Sequence, residues 1–286
     1  MEIREYNHHK LVSNTNRNNW FWKNISNSVK DKVVIDIGSG TGILGIMAIA
    51  KGAKHVIMID HNPDCLNLTQ HNLNKNNIPK EKYKLLENFD VDVLDDERPG
   101  VVISETLSGN FFGQPYYHFC QIIKESIHNP TIIPESLSAN LVLTNSDKLG
   151  TEFLNSEKRQ STSTGVEEFD KNFTIATEMP RSMLLFNENL SRFIREEYIK
   201  NSDYIINDAI TYNSYNPNTD LCWSIEADIP NGEYVIMLDT FLVQKEHKLS
   251  MGESSWVSHF YKFNKTSDTI KIKYDRDPRI NDFIFF

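Results

Sequence analysis

The chain is poor in cysteine, in positive charge and in long apolar runs, and each shortage removes a class of reading. Its three cysteines, Cys65, Cys120 and Cys222, lie far apart in 286 residues and without C-x-x-C spacing. That argues against a disulfide framework or a structural zinc site, and for reduced thiols. Lys and Arg number 30 against 39 Asp and Glu, giving a formal net charge of -9 and a pI near 5.5. A sequence-independent grip on nucleic-acid phosphate is therefore not expected, whereas a cationic substrate would be steered inward. No apolar run reaches the roughly 18 residues of a membrane span, and the opening MEIREYNHHK is too polar for a signal peptide. The expectation is a cytoplasmic protein that partners neither membrane nor nucleic acid. A hydrophobic content of 39% over this length supplies cores for two ordinary domains.

Three of the twelve glycines stand within five residues, in Val33-Val34-Ile35-Asp36-Ile37-Gly38-Ser39-Gly40-Thr41-Gly42-Ile43-Leu44. Apolar residues around Asp36 suit a fully buried parallel strand, and Gly38, Gly40 and Gly42 allow a sharp turn whose backbone can approach a ligand. A helix follows at once, with Ile43, Leu44, Ile46, Met47 and Ile49 facing the sheet. The spacing is G-x-G-x-G. The dinucleotide fingerprint would need glycine at position 43, which is Ile43, and Asp36 would repel phosphate while attracting an amine. A cationic, phosphate-free cofactor fits better. The next strand, His55 to Ile59, ends in Asp60, where a carboxylate accepts both hydroxyls of a ribose. The plainer alternative makes Asp60 a cap for a helix from Pro63. Taken together, these residues resemble the S-adenosylmethionine site of the class I methyltransferases.

Strand and helix alternate from Asp31: Val33 to Ile37, Gly42 to Lys51, Val56 to Ile59, Pro63 to Asn76, Tyr83 to Leu86, Val101 to Ser104 and Tyr116 to Ile127. This predicts a doubly wound Rossmann-like sheet. After Pro134, β segments dominate: Leu137 to Leu143, Cys222 to Ile229, Tyr234 to Val243, Trp256 to Phe263, Thr269 to Tyr274 and Phe283 to Phe286. One helix is expected at Leu190 to Ile199, and residues 150 to 170 read as loop. The architecture is an α/β domain followed by an antiparallel β-barrel-like domain. Residues 1–30 form a helical cofactor cover, 31–134 the cofactor domain and 135–286 the substrate and dimerisation domain.

Ligands of open parallel sheets bind beyond the carboxyl ends of the strands, so Glu105, which closes Val101-Val102-Ile103-Ser104, is a candidate catalytic acid; its bland alternative is a solvated loop acid. Here the resemblance narrows to the protein arginine methyltransferases. Ser104-Glu105 matches that family's strand-end pair, whose glutamate and a second one nine residues later clamp a guanidinium; the second position is Gln114 in this chain. Leu11 to Arg17 resembles the family's N-terminal helix, which implies that Arg17 binds the cofactor carboxylate, with Tyr6 as an aromatic cover. Ile132-Ile133-Pro134 is similar to its junction into the barrel. Glu253 to His259 is similar to its Thr-His-Trp loop: Trp256 matches, Ser255 stands at the histidine position, and His259 lies three residues on, where a strand would make it structural.

The resemblance implies an S-adenosylmethionine-dependent N-methyltransferase that acts on a guanidinium or another side-chain nitrogen. Glu105 and Gln114 are the catalytic pair, and Arg17, Asp36, Gly38, Gly40, Gly42, Asp60, Asn88, Phe89 and Glu105 hold the cofactor. Trp256, His259 and Tyr6 face the substrate. Glutamine accepts a hydrogen bond without charge, so a small-molecule amine, a free amino acid or a histidine is an alternative acceptor; a degenerate binding protein is another. The resemblance also implies a homodimer joined by an arm near Met179 to Ile199.

Overall fold

The computed structural model describes residues 11–107, 114–126, 128–148, 160–162, 175–177, 195–196, 198–217, 221–251, 259–275 and 282–286. The first long helix, α1 (Thr15–Ser26), starts at Asn14, whose side chain accepts the Arg17 backbone N–H at 2.9 Å. This is a standard way of satisfying a helix's orphan donors. Strand β1 (Val33–Ile37), the glycine turn, α2 (Ile43–Ala50), β2 (His55–Ile59), α3 (Pro63–Lys75) and β3 (Tyr83–Leu86) then follow in alternation. Asn62 caps α3 and Pro63 opens it, the residue types that a helix start favours.

The acidic stretch that follows is itself a helix, α4 (Val91–Glu97), because Asp90 caps it by accepting from the Val93 N–H at 3.0 Å. Next come β4 (Val101–Ser104), α5 (Gln114–Glu125) and β5 (Thr131–Ile133). The five strands pair in parallel in the order β3-β2-β1-β4-β5. Their side chains alternate between two cores. Val34, Val56, Met58, Val101 and Ile103 pack with Phe21, Ile25, Leu44 and Leu73, while Ile35, Ile37, Ile57, Val102 and Ile132 pack with Leu94 and Ile123. Burial on both faces explains the near-continuous apolar runs.

Past the cis peptide Ile133-Pro134, pairing becomes antiparallel. The remaining strands are β6 (Ser136–Asn145), β7 (Gln160–Thr162), β8 (Ile175–Thr177), β9 (Tyr204–Asn213), β10 (Cys222–Glu226), β11 (Gly232–Gln244), β12 (His247–Ser250), β13 (His259–Lys265), β14 (Thr269–Asp275) and β15 (Asp282–Phe285). The long β11 pairs with β6 on one edge, while β12 and β13 share its other edge end to end; β9 extends the sheet beyond β6. A second sheet runs β10-β14-β15, and β7 pairs with β8.

One expectation needs correction. Residues 160–162 form a strand rather than loop, and strands β9 and β12 had no counterpart in the sequence reading. The expected helix at 190–199 is helical at 195, 196 and 198–200 among its described residues. It lies on the antiparallel sheet: Tyr198 donates to Val235 O at 2.6 Å, and Arg195 is ion-paired with Asp239, both buried. Among the described residues, no helix is long and apolar enough to cross a membrane.

The two halves meet around Pro134. The Tyr116 hydroxyl, from α5, donates to Pro134 O at 2.8 Å and lies 2.7 Å from the Ser214 hydroxyl, which is itself 3.1 Å from the same carbonyl. Helix α1 adds a second tie, since Trp20 Nε1 donates to His247 O at 3.3 Å.

Candidate active site

The sheet order reverses between β1 and β4, and a cavity of about 440 Å³ opens beyond the carboxyl ends of the strands at that point. Such a switch point is where open α/β sheets hold ligands. Its floor is the turn after β1. Gly38, Gly40 and Gly42 adopt φ of +71°, +56° and +78°, the left-handed region that glycine enters without penalty. Space is equally restrictive: a Cβ on Gly38 would lie 2.4 Å from Thr106 Cγ2, and one on Gly42 2.8 Å from Thr69 Cγ2. Gly38 and Gly40 line the cavity, whereas Gly42 turns the chain into α2 behind it. Ser39, also in the lining, has a buried hydroxyl with no hydrogen-bond partner.

Two aspartates separate here into different jobs. Asp60 lines the cavity; its Oδ2 accepts from Gly40 N–H and its Oδ1 from Asn62 N–H, both at 2.9 Å. It therefore ties the glycine turn to the end of β2, and the capping role falls to Asn62. Asp36, expected to attract a cofactor amine, is outside the cavity lining. Its side chain lies on the α2 face of the sheet and its Oδ2 accepts the Gly45 N–H at 2.8 Å. Burial pushes its carboxyl up to about 7, opposed by that hydrogen bond and by the Arg17 charge.

The far wall consists of Glu87, Asn88 and Phe89, as the sequence suggests, joined by Phe119 from α5, which meets Phe89 edge to face at 5.4 Å. Sequence reading missed Phe119. Its partner is 30 positions away, and only tertiary packing brings the two rings together.

At the near wall, Arg17 and Glu105 meet. Arg17 Nε lies 2.7 Å from both Glu105 carboxylate oxygens, Nη2 also contacts Oε2, and Nη1 donates to Asn18 Oδ1 at 2.8 Å. Both side chains are buried, 3% and 6% exposed. Burial pulls the guanidinium down to about 10, with the Asp36 charge opposing, so it remains a cation at neutral pH. Arg17 is the sole lysine or arginine among the described lining residues, against the acids Asp60, Glu87 and Glu105. Gln114 is the first residue of α5, nine positions after Glu105. His259 opens β13, paired across from Leu238, the strand placement that favours a structural role. Tyr6 and Trp256 lie outside the described residues, as does most of the expected arm.

Residues 23–127 match the family model for the ribosomal protein L11 methyltransferase, PrmA. The L11 methyltransferase of Psychrobacter arcticus is 36% identical over 88 residues, 30% of this chain and 28% of that protein. That of Pseudoalteromonas atlantica is 50% identical over 50 residues, 18% and 17% of the two chains. The chain thus spans little more than a quarter of these relatives at most. The crystal structure of PRMT6 superposes with a TM-score of 0.65 at 15% identity, covering 99% of this chain and 98% of its own. The Trypanosoma brucei PRMT1 enzyme–prozyme complex with AdoHcy gives 0.61 at 15% identity, over 96% and 89%.

The fold is that of the class I methyltransferases, and the parallel half, with its glycine turn, lies in the stretch that matches a methyltransferase family. In both its parallel and its antiparallel parts, the fold resembles that of PRMT6 and of Trypanosoma brucei PRMT1.

Proposed function

We propose that this protein is an S-adenosylmethionine-dependent N-methyltransferase that acts on a side-chain nitrogen in the manner of the arginine methyltransferases. The observation that carries this reading is the convergence, in one cavity at the switch point, of the Gly38–Thr41 turn, Asp60, Glu87 to Phe89 and Glu105. The site fits such a cofactor. A glycine cradle admits a ligand against the backbone, the buried Ser39 hydroxyl awaits a partner, and carboxylates stand at both ends.

When bound, S-adenosylmethionine supplies a methyl group activated by a positive sulfonium. Asp60, anchored by Gly40 and Asn62, has lone pairs left for ribose hydroxyls. Arg17 is the cation available for a carboxylate, Phe89 and Phe119 offer an apolar slot for a base, and Glu87 or Asn88 can accept from its exocyclic amine. Glu105 orients the acceptor nitrogen and holds its proton at an Oε atom. Residues 1–30, 31–134 and 135–286 act as cofactor cover, cofactor domain and acceptor domain, and the protein forms a homodimer.

The similarity to L11 methyltransferases is confined to the cofactor half and supports the cofactor more than a ribosomal-protein acceptor. One observation favours a second reading of the acceptor: Gln114 contributes no charge where the resemblance expects a second glutamate. A histidine, a small-molecule amine or a free amino acid then competes with a peptidyl guanidinium as acceptor.

Calorimetry with S-adenosylhomocysteine tests the cofactor. Wild type should bind, and Asp60→Ala should weaken binding at least tenfold; equal affinities remove the assignment. Incubation of the protein with methyl-labelled cofactor and cell extract tests the acceptor. Label on protein arginine supports the arginine-methyltransferase-like reading, label on histidine or on small molecules supports the second, and binding without transfer supports a non-catalytic protein.

A further inference from the structure

We propose that Thr69 and Asn72, two side chains of α3, are positioning residues that hold the glycine turn in its ligand-binding shape from outside the cavity. This inference rests on the functional reading above. Thr69 Oγ1 donates to Gly40 O and Asn72 Nδ2 to Thr41 O, both at 2.9 Å. Three positions apart on a helix, the two residues are neighbours on its surface. Gly40 and Thr41 line the cavity and no residue of α3 does, so the helix grips the turn on its outer side.

The amides of the turn are directed elsewhere. Gly38 and Ser39 N–H donate to Ile59 O at 2.8 and 2.9 Å, Gly40 N–H to Asp60 Oδ2 at 2.9 Å and Gly42 N–H to Ser39 O at 2.7 Å. Gly40 is thus held at its N–H by Asp60 and at its carbonyl by Thr69. The Thr41 N–H makes no hydrogen bond among the described residues. A trans peptide sets C=O and N–H on opposite sides, so by holding Gly40 O the Thr69 hydroxyl turns that unbonded N–H away from α3. Thr69 is fully buried, and its methyl group also fills the space that a Cβ on Gly42 would need. Glycine loses more conformational freedom on ordering than any other residue. Fixing the two outer carbonyls keeps a glycine-rich turn in one shape, so that less ordering is left to ligand binding.

The test uses the full chain and S-adenosylhomocysteine, with affinity read by calorimetry and stability by chemical denaturation. Thr69→Val keeps the side-chain shape without the hydroxyl and should weaken binding about tenfold, whereas Thr69→Ser keeps the hydroxyl and should stay within about twofold of wild type. Asn72→Ala, which leaves Thr41 O without its donor, should lose about fivefold and serves if the valine variant folds poorly. Gln70→Leu is the control for a loosened helix. Gln70 Nε2, also on α3, donates to the Tyr83 hydroxyl at 2.7 Å, a bond that does not involve the turn, so its loss should lower stability and leave affinity within about twofold. Wild-type affinity in either Thr69→Val or Asn72→Ala, an equal loss in Thr69→Ser and Thr69→Val, or an equal loss in Gln70→Leu overturns the positioning role alone. A wild-type protein that does not bind S-adenosylhomocysteine overturns the functional reading beneath it.

Discussion

The parallel and antiparallel halves solve different problems with different kinds of sequence. In the parallel half, the segments that close the sheet also build the site: the turn after β1, the end of β2 and the end of β4 each leave a cavity residue within a few positions of a buried strand. The family match covers this half alone, residues 23–127. In the antiparallel half, the fold is set by pairings between distant segments, such as the ten-residue register of β6 with β11, nearly 100 positions apart. Its likeness to known proteins is one of fold, at 15% identity. Backbone geometry and the cavity wall fall on the same residues in the first half, whereas pairing and burial in the second accept many sequences.

Breaking the buried Arg195–Asp239 pair should have a large effect on stability and none on the cofactor. Arg195 donates to Asp239 Oδ1 from Nε at 2.9 Å and Nη2 at 2.6 Å, with both side chains under 10% exposed. Arg195→Met takes the countercharge from a buried carboxylate and should cost about 3 kcal/mol. Chemical denaturation measures this, and calorimetry should show S-adenosylhomocysteine affinity within about twofold of wild type. A variant that lost both properties would join the halves more tightly than the comparison allows. Gly38→Val is the converse. With φ of +71° and Thr106 in the way, it should cost about 3 kcal/mol and abolish cofactor binding together, because fold and site share that residue.

These unequal roles explain what could be read before any coordinates. That the glycine turn, Asp60 and Glu105 meet at one cavity was legible because each sits at the end of an apolar strand, where local pattern and cavity wall coincide. Arg17 and Glu105 were each visible, but their contact, 88 positions apart, was not. The placement of Asp36 was not legible because one residue of register decides which face of β1 it occupies, and its carboxylate goes to α2 instead of the cavity wall. Strand β9 went unread. It is exposed along much of its length, is kinked by Asp208 at φ of +47°, and pairs with β6 across a register shift between Ala139 and Leu141. Strand β12, at four residues, is too short to show a period.

Asp36 gives a pH-dependent way to sharpen the comparison within the parallel half. Its folded pKa of about 7 lies above the ordinary 3.8, so the fold favours the protonated form. That contribution is complete below about pH 4 and is lost as pH rises through 7. Asp36→Asn keeps an acceptor for the Gly45 N–H and cannot ionise. It should be more stable than wild type by about 4 kcal/mol at pH 8, with the two stability curves converging near pH 4. Cofactor affinity should change little, since the residue pins α2 from outside the cavity. A large loss of affinity at unchanged stability would restore Asp36 to the ligand-binding set.

The smallest expected effect probes the seam itself. Tyr116→Phe removes the hydroxyl shared with Pro134 O and Ser214 while keeping the buried ring. Ser214 can still donate to that carbonyl at 3.1 Å, so the substitution should cost only about 1 kcal/mol. Its value lies in where that loss is felt. The hydroxyl comes from the parallel half and its partners from the junction and the antiparallel half. If the halves unfold as one unit, a single transition moves to lower denaturant with its slope unchanged. If they unfold separately, two transitions part further in the variant, because its loss falls on the half that depends on the seam. Hydrogen exchange at Ile132 and Ile133 on one side and Leu137 to Leu143 on the other distinguishes these outcomes. Equal acceleration of both groups means that the parallel and the antiparallel half, however differently their sequences are constrained, are held to a common stability.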